Sequence, residues 1–422
     1  MRKICFALGV LLLISSCGSD TVEGDPNYGA ENMLTADIGG KKLFLIDHHD
    51  GTVSVTYDQK NPLHKNKNNQ YVLTDYTGEL VIPSRVTINN NDYTVVGVTE
   101  SAFMNNTSLT KVVLPSTVTS IGNMAFYNCS LLEEVNIPEG VKVLPEACFS
   151  GCKALKKVDL PTQMTEIGAN AFKSCTMLES IKIPEGITDI ADEMFRGCNQ
   201  MTSISLPSTL KTMGAKALYG CSQLTTMTIP DGVTILADSC FYGCSRVTDL
   251  KLPSALTSVG VHCFRGCSGL TELKLPSSLR TISRLAFYAC SKVVALEIPE
   301  GITELGDSAF AACSGLIEVI LPETLTTLGE GTFAGCRSMF VITLPESVKT
   351  IGAKCFYSLD NNGNGNWRNL EIQVKSTVPP VALGSFVNQT NRRRVVVPRG
   401  YRDVYMSTPY WDEFTEVLET NY

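Results

Sequence analysis

The sequence predicts a β-rich α/β solenoid: a right-handed coil of 23-residue repeats, with short parallel strands on one face and β-rich caps at both ends. Three residue ladders in a single register predict this fold. Prolines recur at the 23-residue step from Pro115 to Pro345, cysteines from Cys129 to Cys336, and phenylalanines from Phe126 to Phe356, with Leu218 in the one gap. A fixed period of roughly 20–50 residues indicates a stack of identical structural units.

Each repeat contains a short strand followed by a proline corner. Val135 and Ile137 alternate with polar residues, so a strand buries both on one face. Pro138 ends that strand because it has no N–H group and a fixed φ. Gly151 and its equivalents relieve steric limits at a tight bend. One coil cannot bury its apolar side alone, so neighbouring coils stabilise each other, as in a leucine-rich-repeat solenoid.

The first segment, residues 1–16, has the features of an export signal. A positive start is followed by the apolar run Ile4 to Ile14, which is too short to span a bilayer. Small residues then lead into Cys17, and this order resembles the bacterial lipobox, in which the cysteine is acylated and becomes the first mature residue. The alternative is an ordinary secretory signal with an incidental cysteine. We expect lipidation at Cys17 and tethering of the exported protein to a membrane.

The remaining chain divides by composition and by departures from the period. We expect a flexible tether at residues 17–36, a β-rich N-terminal cap at 37–98, the solenoid at 99–374 and a C-terminal cap at 375–422. The first ladder-like proline, Pro83, lies 32 residues before Pro115, so the coil between them carries nine extra residues around Asn89 to Tyr93. In the second cap, the aromatic residues of Tyr410 to Phe414 are expected to close the open end of the core.

Composition excludes two broad classes of protein. The 422 residues carry a net charge of −7 and a pI of about 5.3, which argues against a nucleic-acid-binding protein. With 44% hydrophobic and 18% charged residues, the chain is not disordered overall. Only four histidines are present, which leaves little material for a histidine-based metal site.

The repeat also carries a family resemblance. Together with the segment Leu80 to Val86 and the segment Tyr410 to Phe414, it resembles BspA-like leucine-rich-repeat surface proteins of anaerobic Gram-negative bacteria. The resemblance covers nearly all of the mature chain. It implies a non-enzymatic protein at the cell surface, on the outer membrane, with protein binding or adhesion to host matrix or other bacteria as its role. The family offers no catalytic, cofactor or metal residues to transfer.

The cysteine ladder allows three interpretations: disulfides, a metal site or structural thiols. Equivalent positions on neighbouring coils lie near the strand spacing of about 4.8 Å with parallel Cβ directions, which is too far apart for a disulfide. No C-x-x-C motif occurs, so zinc-ligand spacing is missing. We therefore expect the ladder cysteines to act as small buried side chains.

Two local patterns resemble functional motifs. His262 and Cys263 are adjacent like a Cys–His dyad, but the alanine-like position of Cys263 predicts that it faces inward. Asp360 to Glu371 fits a calcium-loop pattern, with Asp360, Asn362, Asn364 and Glu371 as oxygen ligands. Only two of these are carboxylates and the flanks are not helical, so we favour an Asn/Gly-rich insertion that closes the last coil.

Solvent-facing strand positions supply the candidate binding face. Residues beside the inward valine point outward, and on the last coils they turn apolar. The candidate residues are Val294, Ala295, Ile317, Ile320, Phe340 and Val341. One explanation is a docking site for a protein, and the other is that the C-terminal cap folds back over them.

A tyrosine stripe supports the alternative function, a glycan-binding accessory lipoprotein. Tyr219 and Tyr242 follow the ladder phenylalanines on adjacent coils, but Lys173, Arg196 and Arg265 interrupt the stripe. Tyrosines at this position are also expected simply to cover the edge of the core. We expect a monomer whose partners are the membrane, through Cys17, and a protein or a glycan, with no nucleic acid.

Overall fold

The computed structural model describes residues 32–58, 64–65, 71–72, 76–357, 370–384, 386 and 394–421. These residues form a parallel β-solenoid whose coils stack along one axis at the predicted 23-residue step. The predicted solenoid fold is confirmed. Cys17 and residues 360–369 of the calcium-loop pattern lie outside the described residues.

A β-rich unit begins the described chain. Its strands are β1 (Met33–Ile38), β2 (Lys41–Asp47), β3 (Thr52–Thr56), β4 (His64–Lys65), β5 (Tyr71–Val72), β6 (Gly78–Val81), β7 (Arg85–Ile88) and β8 (Asn91–Val98). Antiparallel β1–β2–β3 turns into the solenoid through the parallel pair β3–β8. The extra residues expected around Asn89 to Tyr93 lie in the hairpin β7–β8, whose turn residues Asn89 and Asn90 have φ of 51° and 65°. Two consecutive left-handed residues are typical of a tight hairpin turn, and asparagine tolerates them.

The strands predicted from the alternating pattern form one row along the solenoid, here called the long-strand row. It consists of β6, β9 (Leu109–Val113), β11 (Glu134–Val135), β14 (Ser180–Lys182), β16 (Ser203–Ser205), β18 (Thr226–Thr228), β20 (Asp249–Lys251), β23 (Ala295–Glu297), β25 (Glu318–Ile320) and β27 (Val341–Leu344). Val135 and Ile137 are buried as predicted. The next residues turn at the proline, where the Val141 N–H donates to the Pro138 carbonyl at 3.0 Å.

A second row of strands, here called the short-strand row, was not predicted: we expected strands on one face only. It consists of β10 (Ser120–Ile121), β12 (Val143–Leu144), β13 (Glu166–Ile167), β15 (Asp189–Ile190), β17 (Thr212–Met213), β19 (Ile235–Leu236), β21 (Ser258–Val259), β22 (Thr281–Ile282), β24 (Glu304–Leu305), β26 (Thr327–Leu328), β28 (Thr350–Ile351) and β30 (Val381–Ala382). From β15 to β30 it is a continuous nine-stranded parallel sheet. Two-residue strands are too short to show an alternating pattern, which is why the sequence did not reveal them.

The rest of each coil is a turn segment with two left-handed residues. In one coil these are Met124 (φ 54°) and Asn128 (φ 60°), and in the next Ala147 (φ 52°) and Gly151 (φ 79°). Alternating conformations direct every second N–H toward the next coil: Met124 donates to the Glu146 carbonyl at 3.0 Å. The predicted bend at Gly151 is therefore present, and the coil returns by hydrogen-bonded turns rather than by a helix.

The phenylalanine ladder forms the centre of the core. Ring centroids on successive coils are 5.0 to 6.2 Å apart from Phe103 to Phe195 and from Phe241 to Phe386, and the rings are nearly parallel. Leu218 occupies the single gap and is fully buried. Offset stacking adds to the free energy gained by burying each ring.

The C-terminal unit closes the open end of this core. It contains β29 (Glu371–Val374), β30, β31 (Arg394–Pro398), α1 (Arg402–Met406) and β32 (Glu416–Thr420), and α1 is the only α-helix among the described residues. Phe386 continues the stack and meets Trp411 and Phe414 edge-on at 5.1 and 4.9 Å. The Trp411 indole N–H donates to the Pro380 carbonyl at 2.8 Å. The aromatic closure expected from the sequence is present.

Candidate binding surfaces

The six residues Val294, Ala295, Ile317, Ile320, Phe340 and Val341, here called the apolar patch, lie on the outer face of β23, β25 and β27 and the residues beside them. Strand alternation places them opposite the buried side chains Leu296, Val319 and Ile342. Phe340 is 56% exposed and Ile320 is 52% exposed. Val294 and Ile317 are also exposed, whereas Val341 is half-buried. Three successive coils therefore present large apolar side chains to solvent.

The C-terminal unit does not fold back over this patch in the described part of the chain. Its strands β29, β31 and β32 instead pair in parallel, one after another, from β27 onward, so they continue the same sheet. Trp411 and Tyr405 are buried at the end of the core, where the Tyr405 hydroxyl donates to the Ser376 carbonyl at 2.8 Å. The interpretation of the patch as a surface covered by the cap is therefore not supported.

A groove of about 640 Å³ lies beside Ile320, between β25 and β27. These two strands belong to different sheets, so the backbone ladder is interrupted at this point. Carboxylates of Glu300, Glu318 and Glu323 line the groove, and Glu323 pairs with Lys375 at 2.7 Å. The surface thus combines exposed apolar side chains with a polar rim of one ion pair and two carboxylates that are unpaired among the described residues.

The tyrosine stripe has a different structure from the one predicted. Arg196, Tyr219, Tyr242, Arg265 and Tyr288, here called the Tyr–Arg ladder, form one continuous stack on five successive coils. The Arg196 guanidinium lies 5.3 Å from the Tyr219 ring centre, and the Tyr219 and Tyr242 rings stack at 4.5 Å. Arg265 lies between two rings, 5.6 Å from Tyr242 and 4.6 Å from Tyr288. The arginines continue the stack rather than interrupt it, and this cation–π contact is what sequence analysis missed.

The end of the Tyr–Arg ladder nearer the N-terminus is closed by one carboxylate. Glu193 contacts Lys173 at 2.6 Å, Arg196 at 3.0 Å and Lys216 at 3.3 Å. Burial opposes the charge of Glu193, but the hydrogen bonds from Lys173 and Arg196 outweigh it and lower its pKa to about 2. Glu193 is therefore ionised at neutral pH and neutralises part of this cationic cluster.

The structure does not bring His262 and Cys263 together as a dyad. Cys263 is fully buried among core side chains, and burial raises the pKa of its thiol well above the ordinary value. His262 is only half-buried and lies outside the core, with its ring centre 6.3 Å from that of Tyr242. Adjacent residues on opposite sides of the coil wall cannot share a proton, and a neutral buried thiol is a poor nucleophile.

The ladder cysteines are buried free thiols, and each makes the same kind of hydrogen bond to the neighbouring coil. From Cys129 to Cys336, each Sγ lies 3.0 to 3.4 Å from the backbone carbonyl oxygen of the ladder residue 26 positions earlier. Burial raises the pKa of Cys244 and Cys313 to about 12. The position therefore selects a small side chain that can also donate a weak hydrogen bond.

Two further features would bear on function: a metal-binding site and a membrane-spanning helix. Within the ranges that the structure describes, no group of three or more His, Cys, Asp or Glu side chains is arranged to hold a metal ion. Glu371, the last residue of the calcium-loop pattern, pairs with Arg394 at 3.4 Å, and calcium binding by Asp360, Asn362 and Asn364 stays an untested alternative. No helix in those ranges has the length and apolar character of a membrane span.

Comparison with solved structures finds bacterial leucine-rich-repeat proteins. A leucine-rich repeat protein from Bacteroides ovatus is 27% identical, with a TM-score of 0.70, and the match covers 92% of this chain and 100% of that one. A leucine rich cell surface protein from Faecalibacterium prausnitzii is 25% identical, with a TM-score of 0.54, over 88% of this chain and 96% of that one. The pneumococcal vaccine antigen PcpA shares the fold at 18% identity and a TM-score of 0.52, over 92% and 99% of the two chains.

The sequence was also compared with family profiles and curated proteins. Among curated protein sequences, none matches this chain. The family described as BspA type leucine rich repeat region matches in six copies, over residues 97–199, 165–293 and 234–363. Because these matches together run from residue 97 to residue 363, well over half of the sequence, the chain belongs to the BspA-type leucine-rich-repeat proteins, as the resemblance predicted.

Proposed function

We propose that this protein is a lipid-anchored scaffold at the bacterial cell surface that binds a protein partner through the apolar patch. Proteins of the BspA-type family are typically surface-associated and generally non-enzymatic. The similar Faecalibacterium prausnitzii protein is described as a cell surface protein, which supports the same location. The repeat scaffold supplies a long, rigid surface, and such surfaces serve binding rather than turnover.

One observation carries the binding role. Val294, Ile317, Ile320 and Phe340 are exposed side by side, although solvent-facing strand positions have no structural need for apolar residues. Protein interfaces combine an apolar centre with a polar rim. Here the polar rim around the groove beside Ile320 consists of Glu300, Glu318 and the ion pair of Glu323 with Lys375. The patch therefore has the chemistry of a protein-docking surface.

The binding role is tested on the soluble fragment from Asp20 onward. The fragment is passed over immobilised extracellular-matrix proteins, with the variant Ile320→Asp and the control Ile235→Asp. Ile235 is equally exposed but lies on the short-strand row. We expect one or more matrix proteins to bind wild type and the control, and to lose binding to Ile320→Asp. Equal binding by the wild-type fragment and both variants would mean that the matrix protein contacts another surface.

Membrane attachment through Cys17 is a separate part of the proposal. Multiple acyl chains give stable anchoring where one chain gives only marginal binding. Metabolic labelling with an alkyne fatty acid should mark the wild-type protein and leave Cys17→Ser unmarked. Protease treatment of intact cells distinguishes surface exposure, where the solenoid is degraded, from a periplasmic location, where it is protected.

The alternative, a glycan-binding accessory protein, depends on tyrosines whose ring faces are free to stack on sugars. In the Tyr–Arg ladder, Tyr219 and Tyr242 cover each other at 4.5 Å, and the arginines cover neighbouring faces. Stacking of neutral sugars on these rings is therefore not favoured. A neutral-glycan array probed with the same fragment should give no signal that depends on Tyr219 or Tyr242.

A further inference from the structure

Negative charge is concentrated on the coils that carry the apolar patch. From Val294 to Tyr357 these three coils contain eight acidic and three basic residues, a net charge of −5, whereas the whole chain of 422 residues has −7. The strands β23, β25 and β27 contain two glutamates, Glu297 and Glu318, and no lysine or arginine. The three basic residues lie in turn segments or beside β28: Arg337, Lys349 and Lys354.

Carboxylates adjoin the apolar side chains on two sides. In the parallel pair β23–β25, Glu297 lies in register with Ile320, and Ala295 lies in register with Glu318. Such neighbours on adjacent strands are about 4.8 Å apart, and both glutamates are exposed. At the end of each strand, three successive proline corners place an exposed glutamate directly after the proline: Glu300, Glu323 and Glu346.

The cations on the same face are already paired with carboxylates. Lys375 pairs with Glu323 at 2.7 Å. Arg394 lies between two carboxylates, 3.4 Å from Glu371 and 2.9 Å from Glu416. These strands therefore hold no excess of positive charge that could neutralise the glutamates around Ile320.

The coil before the patch does not supply a counter-charge either. Its Lys274 pairs with Glu272 at 2.7 Å, and Lys292 lies in the turn segment that leads into β23, at the opposite end of that strand from Glu300. Glu300 accepts the Glu323 N–H at 3.1 Å, and this hydrogen bond favours its ionised form. Among the described residues, four glutamates of this surface make no ion pair: Glu297, Glu300, Glu318 and Glu346.

The groove beside Ile320 runs along the solenoid, because residues of four successive coils line it, from Glu300 to Lys375. A segment lying in this groove crosses the strands, so side chains rather than a backbone ladder hold it. Ile320 and Val341 offer it apolar contacts, and Glu318 offers it a negative charge. An acidic partner would be repelled at this surface, whereas a basic one is attracted and oriented.

We propose that the protein partner contacts the apolar patch through a cationic amphipathic segment. Its apolar side chains pack on Ile320 and Phe340, and its lysine or arginine side chains pair with Glu297, Glu300 and Glu318. This inference rests on the proposed protein-binding function and specifies the chemistry of the partner. The apolar contact supplies affinity, and the glutamates supply selection by charge.

The test uses fluorescence anisotropy of three labelled peptides of equal length with the fragment from Asp20 onward, at low and at physiological ionic strength. One peptide is an amphipathic sequence of leucine and lysine. The second replaces every lysine with glutamate, and the third replaces every leucine with serine. The comparison therefore separates the need for positive charge from the need for apolar side chains.

Three variants of the fragment accompany the wild type. The double variant Glu300→Gln with Glu318→Gln removes two charges from the rim, and Ile320→Ser removes an apolar contact without adding a charge. The control, Glu304→Gln with Glu330→Gln, removes two exposed carboxylates from the same coils, on the short-strand row and in a turn segment. Two exposed charge contacts should together change the affinity by about tenfold at low ionic strength.

We expect the leucine–lysine peptide to bind the wild type and the control equally. The rim variant should bind it about tenfold more weakly and with a smaller dependence on salt, and Ile320→Ser should also bind it more weakly. The other two peptides should not bind. Absence of binding by the leucine–lysine peptide, equal binding by the leucine–glutamate peptide, or equal weakening in the rim variant and the control would contradict the cationic segment.

Matrix-protein binding separates failure of this inference from failure of the proposed function. A matrix protein that loses binding to Ile320→Ser but binds the rim variant like wild type at both ionic strengths would keep the docking surface and overturn the cationic segment. A matrix protein that binds Ile320→Ser like wild type would instead overturn the proposed function, and the inference with it.

Discussion

The Sγ of Cys175 lies 3.1 Å from the backbone carbonyl oxygen of Phe149, on the neighbouring coil. The same carbonyl also accepts the Cys152 N–H within its own coil at 3.1 Å. The cysteine ladder therefore links each turn segment to the next through an oxygen that already serves a turn. This contact explains a ladder of cysteine rather than alanine in a wall where both fit by size.

Thiol reactivity provides the first prediction. The fourteen described cysteines are buried, and burial raises the pKa of thiols such as Cys355 to about 12. Because only the thiolate reacts, native fragment should show almost no reaction with Ellman's reagent at pH 8. All fourteen should react once the fragment is unfolded in guanidinium chloride without reductant. A denatured count close to zero would mean that the cysteines are paired in disulfides, contrary to the described structure.

The phenylalanine stack provides the second prediction. Phe287 lies between Phe264 at 5.2 Å and Phe310 at 5.3 Å and is fully buried. Phe287→Ala should lower the free energy of unfolding by about 3–5 kcal/mol through the lost burial and the cavity. Phe287→Leu should cost about 1.5 kcal/mol or less, since Leu218 already fills an equivalent site. Urea unfolding measures both, and equal losses would show that the stack does not accept leucine locally.

The Glu193 cluster provides a prediction about pH. The pKa of Glu193 falls from 4.5 to about 2 on folding, so the unfolded chain binds a proton first as pH decreases. Its contribution is therefore complete above pH 4.5 and is lost as pH falls toward 2. Glu193→Gln, which keeps the side-chain length, should lose about 1–2 kcal/mol at pH 7.

Urea midpoints of the two proteins should converge as the pH is lowered from 4.5 to 2. The control Glu166→Gln changes an exposed carboxylate that makes no ion pair within the described residues. It should unfold like wild type across the same range. A difference between Glu193→Gln and wild type that stays constant down to pH 2 would show that the loss comes from packing rather than from charge.

Much of the fold could be predicted because the same residue pattern recurs on every coil. Phe126, Cys129 and Val135 are all buried, as their ladders predicted. In a solenoid the same side chain meets the same environment on each coil, so one pattern read many times becomes reliable. The exposed outward positions Ile320 and Phe340 follow from the same alternation.

The features that could not be predicted depend on contacts between coils. Glu193 and Leu285 adopt φ of 54° and 56°, a conformation set by hydrogen bonds to the next coil rather than by residue preference. The stacking of Arg265 between tyrosines is likewise a contact between coils. From its residue type alone, an arginine at this position was expected to interrupt the aromatic stripe. The register was nevertheless visible, since Arg196 and Arg265 occupy the tyrosine position of the repeat.

Binding by the apolar patch is tested most directly by the double variant Ile320→Asp with Phe340→Asp. The measurement pairs the affinity of the fragment for its matrix-protein partner with its melting temperature. Both side chains are more than half exposed, so we predict that binding is lost while the melting temperature stays within about 2 °C of wild type. Retained binding, or a fall in stability of several kcal/mol from burying charge, would contradict an exposed docking surface at these residues.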